Sequence, residues 1–258
     1  MADELIKLFP NHCTFVEGFG GAGHIMFHKN PSKVDIYNDI HKTLTSFFRL
    51  IREENEELIR GITLTPYSRS QFYENRDSWQ TETDEIEKVR QFYCSIMQSI
   101  GCIGSQWSFS IGISRRGMSQ AVSRWLGNID ENLPDIIERL RSIQIENLDI
   151  IELIDKYDAE ETLFYLDPPY ISNTRVSQNV YNYEMPNEKH IELVSKLINI
   201  RGKVVLSGYD HEIYNPLELA GWEKHHLGDY AKRWKSSEMN KGSEYVWINF
   251  KKGQRRLF

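Results

Sequence analysis

The chain has 258 residues, of which 40% are hydrophobic, 26% charged and 12% aromatic. This is the composition of an ordinary globular protein, and it excludes the disordered, collagen-like and disulfide-scaffold classes. Lys and Arg number 31 against 37 Asp and Glu, which gives a formal net charge of −6. Any surface that binds nucleic acid must therefore be a local basic patch.

The cysteines and the chain's start indicate where the protein works. Cys13, Cys94 and Cys102 are an odd number and form no CxxC pair, which favours a reducing compartment and argues against structural zinc. No apolar run approaches the ~18 residues that cross a bilayer, and acids stand where a signal peptide carries bases. We expect a cytoplasmic protein that binds no membrane and no metal.

The N-terminal part predicts two rounds of strand and helix, an order that favours a parallel sheet with right-handed crossovers. The elements are a strand at 14–16, a Gly-rich turn at 18–23, a helix from 23 to 29, a strand at 34–37 and a helix with apolar residues Leu44, Phe47, Phe48 and Ile51.

Residues 61–141 are polar and aromatic and lack strand alternation, so we predict a mainly helical insertion there, with helices at 84–99 and 133–140. Alternating α/β character then resumes. The elements are a strand at 142–145, a helix at 149–156, strands at 162–166 and 203–207 around a helix at 187–200, and a closing antiparallel pair at 222–227 and 244–250. The predicted fold is α/β, with one sheet domain (1–60 and 142–258) interrupted by the insertion at 61–141.

The first motif is Gly18-Phe19-Gly20-Gly21-Ala22-Gly23, a GxGxxG spacing between a strand and a helix. Glycines there let the backbone approach a ligand closely. Asp39 ends the next strand, twenty-one residues after Gly18, where a carboxylate can accept both hydroxyls of a ribose. NAD and S-adenosylmethionine both fit this motif, and so does a tight turn that binds no ligand.

The second motif, Asp167-Pro168-Pro169-Tyr170, follows a buried strand and so lies at the sheet edge where α/β proteins bind ligands. The prolines remove two backbone donors and stiffen the path, which leaves the Asp167 carboxylate and two carbonyls as acceptors, followed by an aromatic ring. Acceptors beside a stacking plane suit an aromatic amine such as that of adenine. A structural turn is the alternative interpretation.

This arrangement favours methyl transfer to nitrogen. The amino lone pair of adenine is delocalised into the ring, and two acceptors that hold its hydrogens favour a more tetrahedral nitrogen. The carboxylate also offsets the positive charge that develops on nitrogen during transfer. Cytosine C5 transfer requires a cysteine nucleophile, usually after proline, and the chain has no Pro-Cys dipeptide.

The ordered motifs resemble those of the Dam-like, phage-type adenine-specific (N6-adenine) DNA methyltransferases. The resemblance implies a Rossmann-like S-adenosylmethionine-dependent methyltransferase sheet with a helical target-recognition insertion. The matching pieces are Phe19-Gly20-Gly21-Ala22-Gly23, Tyr37-Asn38-Asp39, Glu146-Asn147-Leu148-Asp149, Phe164-Tyr165-Leu166-Asp167-Pro168-Pro169-Tyr170 and Val205-Leu206-Ser207-Gly208-Tyr209.

The resemblance also implies site residues. Asp39 would hold the ribose of S-adenosylmethionine, and Asp149 and Ile150 would contact its adenine. Asp167, Pro168 and Tyr170 would grip and stack the target adenine. The amino-acid moiety of the cofactor would lie along the residues from Glu17 to Gly23, which include Phe19 and Gly21.

The start of the chain departs from the family pattern. The family opens with a segment of the type Pro-x-x-x-Trp-x-Gly-Gly-Lys that helps to bind the cofactor carboxylate, whereas this sequence begins at Met1-Ala2-Asp3. Either another group takes over that role, or the chain as given binds the cofactor weakly or not at all.

Two local basic stretches are candidates for contact with double-stranded DNA, with a solvated charged face as the alternative. Between residues 95 and 127 the only charged residues are Arg115, Arg116 and Arg124. Residues 229–258 carry three acidic and eight basic residues, and the basic ones include Lys232, Arg233 and Lys241.

The C-terminal pentapeptide Gln254-Arg255-Arg256-Leu257-Phe258 resembles a bacterial sliding-clamp-binding motif, so a sliding clamp is a candidate partner. An ordinary C-terminus is the alternative.

Three functions remain open from the sequence. The first is an adenine-specific DNA methyltransferase, and the second is a non-catalytic DNA-binding relic of that family. The third, an NAD-dependent oxidoreductase, has no need of the Asp167 motif. Other amino acceptors, namely cytosine, RNA adenine or a protein glutamine amide, also remain open.

Overall fold

The computed structural model describes residues 2–171, 185–231 and 241–251. The chain forms two compact units, which we call the sheet unit (Met1–Ile40 and Ile143–Phe258) and the helical unit (His41–Ser142).

The sheet unit contains a seven-stranded sheet with the order β3-β2-β1-β4-β5-β7-β6. The first five strands in this order are parallel, and β7 is antiparallel to both of its neighbours. This mixed sheet confirms the predicted α/β class. The strands are β1 (Thr14–Glu17), β2 (Val34–Asn38), β3 (Ile143–Glu146), β4 (Thr162–Leu166), β5 (Lys203–Tyr209), β6 (Glu223–Ala231) and β7 (Lys241–Ile248).

The predicted helices are present, with ends that differ from the sequence expectation by a few residues. In chain order the α-helices of the described residues are α1 (Ala2–Ile6), α2 (His24–His28), α3 (Lys42–Arg52), α4 (Glu56–Leu64), α5 (Arg69–Ser78), α6 (Glu85–Met97), α7 (Gln120–Gly127), α8 (Leu133–Leu140), α9 (Ile150–Tyr157), α10 (Asn187–Ile198) and α11 (Asn215–Leu219). None of these helices is long and apolar enough to cross a membrane.

The core of the sheet unit explains the continuous apolar runs of its central strands. Every residue of β4 is buried, as expected for a parallel strand that is covered on both faces. Phe164 and Leu166 belong to the same buried cluster as Leu153 of α9 and Leu193 of α10. This packing holds the carboxyl end of β4 in place, and therefore the start of the Asp167 loop.

The strand order reverses direction between β1 and β4. From β1 the sheet grows through β2 to β3 on one side, and from β4 through β5 on the other. Ligands in open α/β sheets bind outside the carboxyl ends of the strands at such a reversal. The Gly-rich turn follows β1 and the Asp167 loop follows β4, so both predicted motifs leave the sheet at this point.

The helical unit begins at His41, earlier than the predicted insertion boundary at residue 61. The reason is the apolar face of α3, whose Phe47 and Phe48 are buried. The Phe47 ring stacks on Tyr93 of α6, with 4.7 Å between ring centroids. The sequence shows that α3 has an apolar face, but not that this face packs on α6 rather than on the sheet.

Candidate active site

The Gly-rich turn is held by backbone hydrogen bonds to both neighbouring strands. The Gly18 N–H donates to the Tyr165 carbonyl of β4 at 3.0 Å, and the Gly20 N–H donates to the Asn38 carbonyl at the end of β2 at 2.8 Å. Gly21 and Gly23 have φ values of 50° and 68°, which favour glycine. The turn therefore has a fixed path beneath the carboxyl ends of β2 and β4.

Close approach explains a third glycine in the turn. A Cβ at Gly20 would lie 2.1 Å from Cε2 of the buried Tyr37 ring, and the Tyr37 hydroxyl donates to the Gly21 carbonyl at 2.6 Å. A Cβ at Gly21 would meet no atom within 4 Å, so open space adjoins the turn there. A cofactor that lies against the backbone requires such space, and the glycines of the turn therefore fit a bound cofactor.

Asp39 and Asn38 connect the turn to the loop after β3. The Gly21 N–H donates to Asp39 Oδ2 at 2.8 Å. The buried Asn38 side chain donates to the Gly18 carbonyl at 2.9 Å and accepts from the Leu148 N–H at 2.8 Å. Sequence reasoning gave Asn38 no role, although it lies directly beside Asp39 in the matched motif.

Glu17 ends β1 as a buried carboxylate. Its Oε2 accepts from the Met26 N–H of α2 at 2.8 Å. Burial raises the pKa of Glu17 to about 8, and backbone N–H groups of Met26 and Ile25 partly oppose this shift. Glu17 thus fastens the start of α2, the helix that follows the turn.

The remaining predicted cofactor residues lie at the same edge of the sheet unit. Asp149 caps α9, because its Oδ1 accepts from the Ile151 N–H at 2.9 Å, and Lys189 pairs with the same oxygen at 2.9 Å. Ile150 is buried beneath the turn, where its Cδ1 would lie 2.8 Å from a Cβ at Gly18. Phe19 is half-buried and packs against the core.

The Asp167 loop leaves β4 directly after its last buried residue, Leu166. Pro168 is buried, whereas Asp167 and Tyr170 are half-buried. The Tyr170 ring contacts the Tyr209 ring at the end of β5, with 4.2 Å between centroids and 35° between planes. Asp167 and an aromatic surface therefore stand together at the carboxyl ends of β4 and β5.

Glu244 of β7 joins this group, and sequence reasoning missed it. Its buried Oε1 accepts from the Tyr170 hydroxyl at 3.2 Å and from the Ser207 hydroxyl at 3.1 Å. Only the pairing of β7 with β5 brings these residues together, because Glu244 follows Tyr170 by 74 positions. An acid at the head of an apolar strand was the one signal in the sequence.

Burial and a like charge act together on Asp167. Burial, with the charge of Glu244 as the second cause, raises the pKa of its carboxyl to about 7. Perturbed carboxyls at a ligand-binding edge are typical of functional sites.

The three candidate DNA-binding arginines lie exposed in the helical unit. Arg115 and Arg124 are exposed, and Arg116 forms an ion pair with Glu131. Nearby, Phe109, Ile111 and Ile113 are 65%, 96% and 78% exposed. Of the second basic stretch, Lys241 begins β7, while Lys232, Arg233 and the tail at 254–258 lie outside the described residues.

Within the described ranges 2–171, 185–231 and 241–251, no group of three or more His, Cys, Asp or Glu side chains is placed to hold a metal ion.

The sheet order, the Gly-rich turn and the acidic loop at the reversal point define a Rossmann-like methyltransferase. The family described as D12 class N6 adenine-specific DNA methyltransferase matches residues 1–218, and the chain belongs to it. Enzymes of this class depend on S-adenosylmethionine, which is the expected cofactor.

Two named relatives agree with the family. The chain is 22% identical over 227 residues to the type II methyltransferase M.MjaIII of Methanocaldococcus jannaschii, covering 79% of this chain and 76% of that protein. It is 24% identical over 179 residues to the modification methylase LlaI of Lactococcus lactis, covering 66% of this chain and 28% of that much longer protein. No finding supports the sliding-clamp prediction.

Proposed function

We propose that the protein transfers the methyl group of S-adenosylmethionine to the exocyclic amino group of a target adenine that is extruded from duplex DNA. The observation that carries this proposal is that the two motifs follow two adjacent strands, β1 and β4. The Gly18 N–H bonds to Tyr165, two residues before Asp167, so one pair of adjacent strands positions both the cofactor turn and the acceptor loop.

On the cofactor side, each predicted residue receives a role that fits its contacts. A carboxylate can accept several hydrogen bonds, so the bond from Gly21 to Asp39 is compatible with binding of the ribose hydroxyls. Asp149 and Ile150 begin α9 and would contact the cofactor adenine. The backbone of the turn would follow the amino-acid moiety, with Phe19 beside it and Glu17 holding its exit into α2.

On the substrate side, Asp167 and the carbonyls of its loop would accept the two N–H bonds of the adenine amine, while Tyr170 stacks on the base. The nitrogen lone pair forms the new bond to the methyl carbon as the carbon–sulfur bond breaks. The cofactor supplies an activated methyl group on a positively charged sulfur. Asp167 stabilises the positive charge on nitrogen until its proton is released.

Extrusion of the base costs a few kcal/mol, and contacts with DNA must supply this energy. We assign the contacts to the helical unit, in which Arg115, Arg116 and Arg124 would approach phosphates. The exposed side chains of Phe109 and Ile111 belong to the same stretch, in which the three arginines are the only charged residues.

Methyl transfer from radiolabelled S-adenosylmethionine to duplex DNA tests this function. We expect transfer by the wild type and none by Asp167→Ala. The thermal unfolding and the cofactor binding of Asp167→Ala should match those of the wild type. Salt-dependent DNA binding without transfer by the wild type would instead identify a non-catalytic DNA-binding protein.

A further inference from the structure

Glu244 is a buried carboxylate in a site that already contains a second acidic residue, Asp167. It lies opposite Tyr209 in the pairing of β7 with β5 and opposite Gly228 in the pairing with β6. A buried carboxylate is costly unless its oxygens accept hydrogen bonds. A Glu at this position, on a strand whose Val246 and Trp247 are buried apolar residues, therefore calls for an explanation.

Among the described residues, the side chain of Glu244 accepts its hydrogen bonds on the proposed substrate side of the site. One oxygen receives both the Tyr170 hydroxyl and the Ser207 hydroxyl. The Tyr170 ring is held on its other side by Tyr209, at 4.2 Å between centroids. The ring is thus fixed at two points, its hydroxyl by a carboxylate and its face by a second aromatic ring.

We propose that Glu244 is a positioning residue for the methyl acceptor: its carboxylate accepts the Tyr170 hydroxyl and so fixes the orientation of the Tyr170 ring. As a consequence of the same placement, the negative charge of Glu244 also acts on Asp167. This inference rests on the proposed function, because it assigns Tyr170 to stacking of the target adenine and Asp167 to the amine.

The charge effect has a defined sign. Asp167 carries the negative charge that offsets the developing positive charge on nitrogen only when it is ionised, and a neighbouring negative charge opposes that ionisation. Other titratable groups also face this region, and they stay in place when Glu244 is changed. They are Glu17 at the end of β1, Tyr165 in β4, Tyr170 in the loop, Tyr214 before α11 and Tyr209 in β5.

The test begins with three variants assayed for kcat and KM toward duplex DNA. Glu244→Gln retains an acceptor for Tyr170 but removes the charge, and Glu244→Ala removes both. Tyr170→Phe keeps the ring but removes its hydroxyl. We expect Glu244→Ala and Tyr170→Phe each to lower kcat roughly 3- to 10-fold, the factor that one hydrogen bond supplies.

Coupling separates positioning from general damage. Because Glu244 acts through the Tyr170 hydroxyl, the double variant Glu244→Ala/Tyr170→Phe should lose no more than the worse single variant, apart from the charge effect on Asp167. Independent effects would multiply instead. Multiplied losses at a pH where Asp167 is fully ionised would overturn the positioning part of the proposal.

The pH profile tests the charge. In the wild type the rate should rise with pH as Asp167 ionises, through about pH 7. In Glu244→Gln this acidic limb should move to lower pH, whereas in Tyr170→Phe it should stay where it is. An unmoved limb in Glu244→Gln would overturn the charge part.

Glu218→Gln is the matched control, because Glu218 also accepts a hydrogen bond from β7, from Trp247 Nε1 at 3.2 Å. It should keep the wild-type kcat and pH profile. A comparable loss in Glu218→Gln would mean that any disturbed contact to β7 has this effect.

A measurement without catalysis keeps the inference distinct from the proposed function. The Asp167 carboxyl carbon can be titrated by NMR in the free wild type and in Glu244→Gln. If the wild type transfers no methyl group, the proposed function fails, and the titration still decides whether Glu244 acts on Asp167. If the wild type is active and Asp167→Ala is not, but Glu244→Gln matches the wild type in rate, pH profile and titration, this inference alone fails.

Discussion

The two units place their candidate functional groups in opposite environments. In the sheet unit Glu17, Asn38 and Glu244 are buried, and each has hydrogen-bond partners within the unit. In the helical unit Arg115 and Arg124 are exposed, as are the apolar side chains beside them. Chemistry that depends on geometry sits in the packed unit, while the groups proposed to meet DNA stand in solvent.

This difference predicts how each unit responds to substitution. A buried polar group holds its neighbours in one arrangement, so its loss is felt in rate or in stability. An exposed arginine contributes mainly a charge, so its loss is small and depends on salt. The following predictions rank the effects accordingly.

The largest effect is expected for Asp167→Asn, which keeps the shape of the side chain but loses the charge that offsets the developing positive charge on nitrogen. We expect a fall in the methyl-transfer rate on the order of 10³-fold, with the affinity for S-adenosylmethionine nearly unchanged. Single-turnover kinetics and calorimetric cofactor binding measure the two quantities separately. Equal losses in both would mean that Asp167 serves the cofactor side.

The second effect concerns the stability of the sheet unit. The pKa of Glu17 is about 8 in the folded protein against an ordinary value of 4.5, so the folded state holds this proton more tightly. The stabilisation is complete below about pH 4.5 and is lost as pH rises toward 8, with a slope of up to about 1.4 kcal/mol per pH unit.

Glu17→Gln should remove the share of this slope that Glu17 contributes and leave the share that the raised pKa of Asp167 contributes below about pH 7, as measured by urea unfolding between pH 5 and 8.5. Glu161→Gln, which changes an exposed acid of the same unit, is the control and should keep the whole slope. Parallel stability curves for wild type and Glu17→Gln would show that Glu17 titrates normally.

A third effect distinguishes two glycines of one turn. Gly20→Ala forces a methyl group against the buried Tyr37 ring, and we expect about 1–3 kcal/mol of destabilisation together with weaker cofactor binding. Gly21→Ala meets open space and carries only the strain of its positive φ, about 1 kcal/mol. Thermal unfolding with and without S-adenosylmethionine compares them, and a larger loss in Gly21→Ala would contradict the packing argument.

The smallest effect is expected in the helical unit. Arg124→Ala should weaken DNA binding only a few-fold at low salt and lower the slope of log affinity against log salt by about one. Arg116→Ala, whose guanidinium pairs with Glu131, should change the slope less. Identical slopes for Arg124→Ala and wild type would exclude Arg124 from phosphate contact.

The elements of the sheet unit could be predicted because local signals agree there. Each pattern there can be recognised from a few consecutive residues: the glycines of the turn, the apolar run of β4 and the two prolines after Asp167. The antiparallel closing pair was predicted as well, although β6 ends at Ala231 and β7 begins at Lys241, beyond the predicted positions 227 and 244.

Long-range partners could not be predicted in the same way. Glu244 meets Tyr170 across 74 positions, and Asn38 meets Leu148 across 110. Such contacts depend on the order of the strands in the sheet, which the apolar periodicity of a single segment does not encode. The start of the helical unit at His41 was missed for the same reason, since the apolar face of a helix does not show in the sequence which element it packs against.

The central claim is that the acceptor loop after β4 directs the methyl group to the amino nitrogen of adenine. Mass spectrometry of nucleosides from duplex DNA treated with the protein and deuterated S-adenosylmethionine tests it most directly. The account predicts N6-methyldeoxyadenosine carrying the deuterated methyl group with the wild type, and on the order of 10³-fold less of it with Asp167→Asn in the same reaction time. Label in N4-methyldeoxycytidine, or equal amounts of product from both proteins, would contradict it.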